Sequence, residues 1–136
     1  EGINSWEKNT SIHPFYTAGK SAYNSLISAL ENNHFIPFGL SYLIFSYEGI
    51  KKHLYQFIQF ISKEYPDFSN LDSCIPILKK LHEHYAALKS LYPFHGEKPE
   101  KPNEEKLKQI SSLFQSAYKA EDRFFVLLKQ IIKEEK

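Results

Sequence analysis

The chain has 136 residues, 42% of them apolar and 24% charged, which is enough for the core of one ordinary domain. Its 17 basic and 16 acidic residues leave a formal net charge of +1, so the overall charge balance gives no basic footprint for nucleic acid. No apolar run reaches the roughly 18 to 20 residues that cross a bilayer, and a single cysteine excludes an internal disulfide framework. We therefore expect one cytoplasmic domain over residues 1–136, without membrane association.

Prolines and glycines divide the sequence into four stretches with helical periodicity, and no stretch alternates like a strand. The first predicted helix runs from about Pro14 to a stop signal at residues 31–33. The second runs from about Ile36 to Tyr65, where the next residue is a proline. Its first half, residues 35–50, is apolar or aromatic almost all the way round. Such a helix is either central in the fold or pressed against a second subunit.

The third predicted helix has Asp72-Ser73 as its cap and Pro76 in its first turn, and it ends before Pro93. A loop with three prolines, residues 93–102, separates it from the fourth helix, which takes Asn103 as its cap. The apolar seam of the fourth helix steps by three and four residues and contains one carboxylate, Glu121.

Two long and two shorter amphipathic helices joined in this way predict an all-α fold, an antiparallel up-and-down four-helix bundle. Residues 1–12, which include Trp6, are expected to form a loose N-terminal arm.

No complete catalytic or metal-binding motif is present. His82 and His84 are two residues apart on a predicted helix and cannot share one metal ion, and there is no His-Glu-x-x-His sequence. A nucleophile motif and a phosphate-binding glycine loop are missing too, and Cys74 at a helix start is interpreted as a packing residue. The sequence thus predicts no metal and no cofactor.

Charged residues in the middle of the most apolar helix need an explanation. Glu48 faces Lys51 and Lys52 one turn on, which suggests an ionic pair inside a helix crossing or, alternatively, a solvated edge that includes His53. Glu121 is a parallel case, because it can pair with one of these lysines or a histidine, or lie where the bundle opens to water.

Four stretches carry a resemblance to a known family. They are Ala18, Ala22, Asn24, Leu26 and Ala29 in helix 1, residues 33–40 (NHFIPFGL), residues 47–51 (YEGIK) and residues 94–98 (FHGEK). Together they resemble the AbiV branch of the HEPN helical proteins. The resemblance covers about two-thirds of the chain, and its motifs are short.

The resemblance implies a small all-α bacterial protein of phage defence by abortive infection, commonly dimeric, acting on RNA, the translation machinery or a phage protein. Its site residues would fall on Glu48, Lys51, His95 and Lys98. Ribonucleases of the wider HEPN class carry an arginine followed four to six residues later by histidine, whereas the one arginine here, Arg123, has no histidine after it. In addition, a tyrosine precedes Glu48 where a second acid is common. These departures favour binding or dimerisation over RNA cleavage.

The leading hypothesis is therefore a defence protein with no catalytic residue, binding through Glu48, Lys51, Lys52, His95 and Lys98. The enzymatic alternative is a metal-independent ribonuclease in which His95, held near Glu48 and Lys51, is the general acid or base while Lys98 binds phosphate. A third alternative is an antitoxin or nucleotidyltransferase-partner module that binds one cognate protein.

The aromatic first half of helix 2 also predicts a homodimer. Three other helices cannot cover Phe38, Tyr42 and Phe45 together, and Gly49 would allow close approach across a two-fold axis. The alternative is that the arm carrying Trp6 folds over this surface and keeps the protein monomeric.

Overall fold

The structure, a computed structural model, describes residues 19–67, 70–94 and 99–135, which are helical throughout apart from turns and connecting segments. The elements are α1 (Gly19–Glu31), α2 (Pro37–Glu64), a 3-10 turn (Leu71–Cys74), α3 (Ile75–Leu91) and α4 (Glu104–Glu135). With 28 and 32 residues, α2 and α4 are the long helices, and α1 and α3 have 13 and 17. The all-α prediction with two long and two shorter helices is confirmed. The predicted arm at residues 1–12 lies outside the described residues.

The end of α1 follows the stop signal in the sequence. Asn33 takes the left-handed conformation with φ 60°. The backbone N–H of His34 donates to the carbonyl of Ala29 at 2.8 Å, and that of Asn33 donates to the carbonyl of Leu30 at 3.2 Å. These two bonds form a Schellman cap, in which asparagine takes the position usually given to glycine.

The starts of α2 and α4 also match local signals. Pro37 occupies the first turn of α2, where its missing N–H costs nothing. The side-chain oxygen of Asn103 accepts a hydrogen bond from the backbone N–H of Lys106 at 2.8 Å, which confirms Asn103 as the cap of α4.

The third helix has Pro76 in its first turn, as predicted, but the predicted cap at Asp72-Ser73 is wrong. Asp72 lies inside the 3-10 turn, and the α-helix begins at Ile75. Pro76 explains the difference, since its ring would clash with the carbonyl of Asp72 if the α-helix continued backward through that residue.

The helices do not pack in the order of the chain. α2 packs against α3, α3 against α4, and α4 against α1. Although α1 and α2 follow each other in sequence, no pair of their Cα atoms lies within 8 Å, and the same holds for α2 and α4. The Lys51–Glu121 ion pair nevertheless joins α2 to α4 through their side chains.

Side-chain contacts show the direction of each helix. The ring of Tyr55 in the second half of α2 stacks on His82, whereas Phe45 in its first half contacts Phe94, just after α3. Consequently α2 and α3 run antiparallel.

The same reasoning applies to α1 and α4. The Lys20 Nζ lies 3.3 Å from an Asp122 carboxylate oxygen near the start of α1, while Leu30 at its end shares a surface groove with Leu107. α1 is thus antiparallel to α4, and it reaches only as far along α4 as Asp122.

Apolar side chains from all four helices and the 3-10 turn form one buried cluster, in which Tyr85, Phe114 and Phe124 are the largest fully buried members. Two polar residues are buried among the described positions, Ser41 and Glu121. The Ser41 hydroxyl donates to the carbonyl of Phe38 at 3.0 Å, which accounts for its burial. Glu121 is the buried charge, and its surroundings define the first half of the candidate site.

Candidate functional site

A buried polar network ties the four helices together at Glu121, which is 6% exposed. Its Oε1 accepts a hydrogen bond from the Tyr23 hydroxyl of α1 at 2.7 Å and lies 2.9 Å from the Lys51 Nζ of α2. The Tyr23 hydroxyl also lies 2.6 Å from the hydroxyl of Tyr85 in α3. Because the one proton of Tyr23 is donated to Glu121, the Tyr85 hydroxyl is the donor in the second bond.

The tyrosines of this network are held in their neutral form. Burial raises the pKa of Tyr23, and the nearby Tyr85 and Glu121 raise it further. Burial likewise raises the pKa of Tyr85, and burial raises the pKa of Tyr47, whose ring packs edge-on to Tyr85. The hydroxyls therefore remain donors, as a carboxylate at the centre requires.

This network is complete without a ligand. No buried side-chain nitrogen or oxygen among the described residues lacks a hydrogen-bond partner. Of the alternatives that the sequence left open for Glu121, pairing with Lys51 is confirmed.

A second ionic cluster lies on the seam between α2 and α3. The Glu48 Oε1 lies 3.1 Å from the His82 Nε2, and its Oε2 lies 3.5 Å from the Lys89 Nζ. Burial alone raises the pKa of Glu48, but the His82 hydrogen bond and the charges of Lys89 and His82 outweigh it and hold that pKa below its usual value. Lys89 also lies over the ring of Phe45, 5.2 Å from its centroid.

The structure separates predicted site residues that are close in sequence. Glu48 points to α3 and Lys51 to α4, so the ionic pairs run between helices instead of along α2. Lys52 and His53 are exposed, which matches the solvated-edge interpretation for these two residues but not for Glu48. The predicted binding residues His95 and Lys98 lie outside the described residues.

An aromatic surface covers the first half of α2. Phe38, Tyr42 and Phe45 are 46%, 54% and 45% exposed. The ring of Phe94 packs on all three at centroid distances of 5.4, 5.6 and 5.6 Å and still leaves about half of each ring in contact with solvent. A Cβ placed on Gly49 would meet no heavy atom within 4 Å. We call Phe38, Tyr42, Phe45 and Gly49 the α2 aromatic face.

Sequence reasoning missed several members of the two clusters. The sequence pattern did not single out Tyr23 or Tyr85, although buried tyrosines need partners for their hydroxyls. A tyrosine on a core-facing stripe together with one carboxylate in a seam was the available signal. The sequence carries no such signal for His82 and Lys89, because their contacts with Glu48 depend on how α2 packs against α3.

Among the described residues, no group of three or more His, Cys, Asp or Glu side chains is arranged to hold a metal ion. None of the described helices combines the length and the apolar character that crossing a bilayer demands. Comparison of the chain with models of known protein families, with curated proteins and with solved structures gives no match.

Proposed function

We propose that this chain is a non-catalytic helical binding protein of bacterial phage defence, with the α2 aromatic face as its working surface. The exposure of Phe38, Tyr42 and Phe45 on one side of α2 carries the proposal. The AbiV-like pattern of the sequence supplies its biological setting. In this proposal the four helices form an antiparallel bundle of the HEPN kind.

The α2 aromatic face has the composition of a protein interface. Aromatic rings are enriched in the buried centre of interfaces, where they contribute large apolar areas at small conformational cost. Phe38, Tyr42 and Phe45 follow one another at spacings of four and three residues, so they form a continuous stripe. Gly49 extends the stripe with a position where a second backbone can approach. The occupant we propose is the same face of a second copy around a two-fold axis.

The state of the acidic groups supports a binding role over catalysis. A general acid or base works best when its pKa lies near the operating pH. Glu48 instead has a pKa below its usual value and both oxygens engaged, and Glu121 is buried in ionic contact with Lys51. Neither carboxylate is available to a substrate in this arrangement.

Size-exclusion chromatography with light scattering tests the dimer. The wild-type mass should be about twice the 15.9 kDa of the chain at micromolar concentration, and Phe45→Glu should reduce it to that of one chain. Phe57→Glu is the matched control, since Phe57 lies on the same helix with 58% exposure but outside the α2 aromatic face. A wild-type monomer, or a dimer that survives Phe45→Glu, contradicts the proposed interface.

A plaque assay tests the biological role. Expression of the chain in a sensitive host should reduce phage yield, and Phe45→Glu should restore the yield while Phe57→Glu leaves the protection intact. Unchanged yield across several phages would remove phage defence from the proposal without affecting the dimer.

A ribonuclease is the second candidate, favoured by one contact. Phe94, the residue before His95, packs on the ring of Phe45. The Lys89 ammonium lies over this ring and also forms an ion pair with Glu48. The chain therefore reaches the neighbourhood of Glu48 immediately before a histidine. Incubation of labelled RNA with the wild type and with His95→Ala decides the matter, because cleavage that disappears in the variant would replace the non-catalytic proposal.

A further inference from the structure

A charged side chain of α3 lies against the α2 aromatic face. Lys89 belongs to the last turn of α3, and its Nζ lies 5.2 Å from the ring centroid of Phe45, within the range of a cation–π contact. The same Nζ lies 3.5 Å from the Oε2 of Glu48. The ammonium therefore contacts a ring of the face and a carboxylate at the same time, while 43% of the Lys89 side chain stays exposed.

The Glu48 carboxylate gives this ammonium a fixed counter-charge. The Glu48 side chain is 15% exposed, and its Oε1 lies 3.1 Å from the Nε2 of His82. The His82 ring in turn stacks on the ring of Tyr55 in α2. Contacts from both helices thus hold the carboxylate in place. The last turn of α3 favours a cation as well, because the unpaired helix carbonyls there carry a partial negative charge.

Two groups restrain the ring of Phe45. The ring of Phe94 packs on it with a centroid distance of 5.6 Å and an interplanar angle of 43°, and the Lys89 ammonium lies over it. Phe45 nevertheless keeps 45% of its surface exposed. A ring that is already held in one orientation loses less conformational freedom when a partner covers it, and this strengthens binding.

The contacts of Lys89 stabilise a bound state more than the free chain. An ion pair with one partly exposed member contributes little to the stability of a fold. A cation–π contact, in contrast, becomes stronger when water is removed from it. Water leaves the Phe45 ring only when a partner covers the α2 aromatic face. Glu48 balances the charge, so the Lys89 ammonium can lose part of its hydration without becoming an isolated buried charge.

We infer that Lys89 is a positioning residue of the α2 aromatic face. Glu48 holds its ammonium in place, and the ammonium holds the Phe45 ring in the orientation that the second copy of the chain covers. The inference rests on the proposed function, because it assigns to Lys89 and Glu48 a role in that dimer. It gives Glu48 an indirect role, exerted through Lys89, instead of a contact with the partner.

The dimer dissociation constant, Kd, measured by sedimentation tests the inference. Lys89→Met should raise Kd about tenfold or more, because a two-fold dimer contains the cation–π contact twice. Lys89→Arg should stay within about threefold of the wild type, since a guanidinium also binds both an aromatic ring and a carboxylate. Lys80→Met is the matched control, because Lys80 is an exposed lysine of the same helix, and it should leave Kd unchanged.

Glu48→Gln separates an indirect role from a structural one. Glutamine keeps the size of the side chain and can still contact His82, but it no longer attracts the Lys89 ammonium. The variant should therefore raise Kd several-fold on its own and have no further effect in the Lys89→Met background. An equal rise of Kd in both backgrounds would show that Glu48 acts independently of Lys89, and it would overturn the inference.

Proton NMR of the full chain detects the contact directly. The ε-methylene protons of Lys89 lie near the face of the Phe45 ring, so the ring current should shift them upfield, and Phe45→Leu should remove the shift. An unshifted signal in the wild type overturns the inference whatever the oligomeric state. A wild-type dimer whose Kd does not respond to Lys89→Met overturns the inference and leaves the proposed dimer standing. A wild-type monomer overturns the dimer, and the inference with it.

Discussion

Replacing Lys51 with methionine should destabilise the fold more than replacing both partners of its ion pair. The side chains of Lys51 and Glu121 are 13% and 8% exposed. Removal of one member of a buried pair costs roughly 3 to 5 kcal/mol, since it leaves the other charge uncompensated. The Tyr23 hydrogen bond remains on Glu121, so we expect a value at the lower end, about 3 kcal/mol.

Glu121→Gln and the double variant complete the cycle. The glutamine oxygen still accepts the bond from Tyr23, and the Lys51 ammonium can turn toward water, so Glu121→Gln should cost about 1 to 2 kcal/mol. The double variant leaves no buried charge, and its cost should be about 1 to 2 kcal/mol as well. The coupling energy between the two positions is then about 3 kcal/mol.

Urea unfolding monitored by circular dichroism measures all four proteins, with Lys52→Met as a control. Lys52 is exposed one residue away, and its change should stay within about 0.5 kcal/mol. A coupling energy near zero, or a cost for Lys51→Met no larger than for Lys52→Met, would refute the conclusion that this ion pair is a buried and interdependent unit.

Three other measurements follow from named contacts. The pKa of Glu48 lies below its usual 4.5, so its contribution to stability is complete above about pH 4.5 and is lost as the pH falls through the lower folded-state pKa. Urea titrations at several pH values should therefore show that the free energy of unfolding falls less steeply with acid in Glu48→Gln than in the wild type. An equally steep fall in the variant would contradict the assignment. The pKa values of Tyr23 and Tyr85 are raised in the fold, so the associated stability is lost as the pH rises above the ordinary value of 10.0, and their phenolate absorbance should appear only together with loss of the helical circular dichroism signal. Asn103→Ala should lower the free energy of unfolding by about 1 kcal/mol in urea titrations, and an unaltered midpoint would show that the cap contributes nothing.

The helices were predictable because their signals are local. Asn33 and Asn103 mark an end and a start through backbone hydrogen bonds that involve only residues within one turn. Pro37 acts in the same local way at the start of α2. The error at Asp72 had a local cause too, since the ring of Pro76 restricts the residue four positions earlier.

The partners of the charged groups were not predictable to the same extent. On an isolated α2, Glu48 has Lys51 and Lys52 as neighbours, and only the packing of α3 supplies His82 and Lys89 in their place. The bond between Tyr23 and Glu121 joins positions 98 residues apart, and no periodicity within one helix encodes such a distance. The seam carboxylate could be recognised as unusual, but its two donors, Tyr23 and Lys51, belong to two other helices.

The pairing of α1 with α4 also has a consequence for how the chain acquires its fold during synthesis. α1 is made before α2, yet α2 offers it no backbone contact, and the carboxylate that binds Tyr23 is added 98 residues later. At a synthesis rate of roughly 5 to 20 residues per second, about 5 to 20 s pass between the addition of Tyr23 and the addition of Glu121. An isolated helix of 13 residues is marginal in water, so its apolar side chains stay accessible during that time. Docking of α1 is consequently expected among the last steps of folding, when α2, α3 and α4 can already have packed through contacts that are closer in sequence.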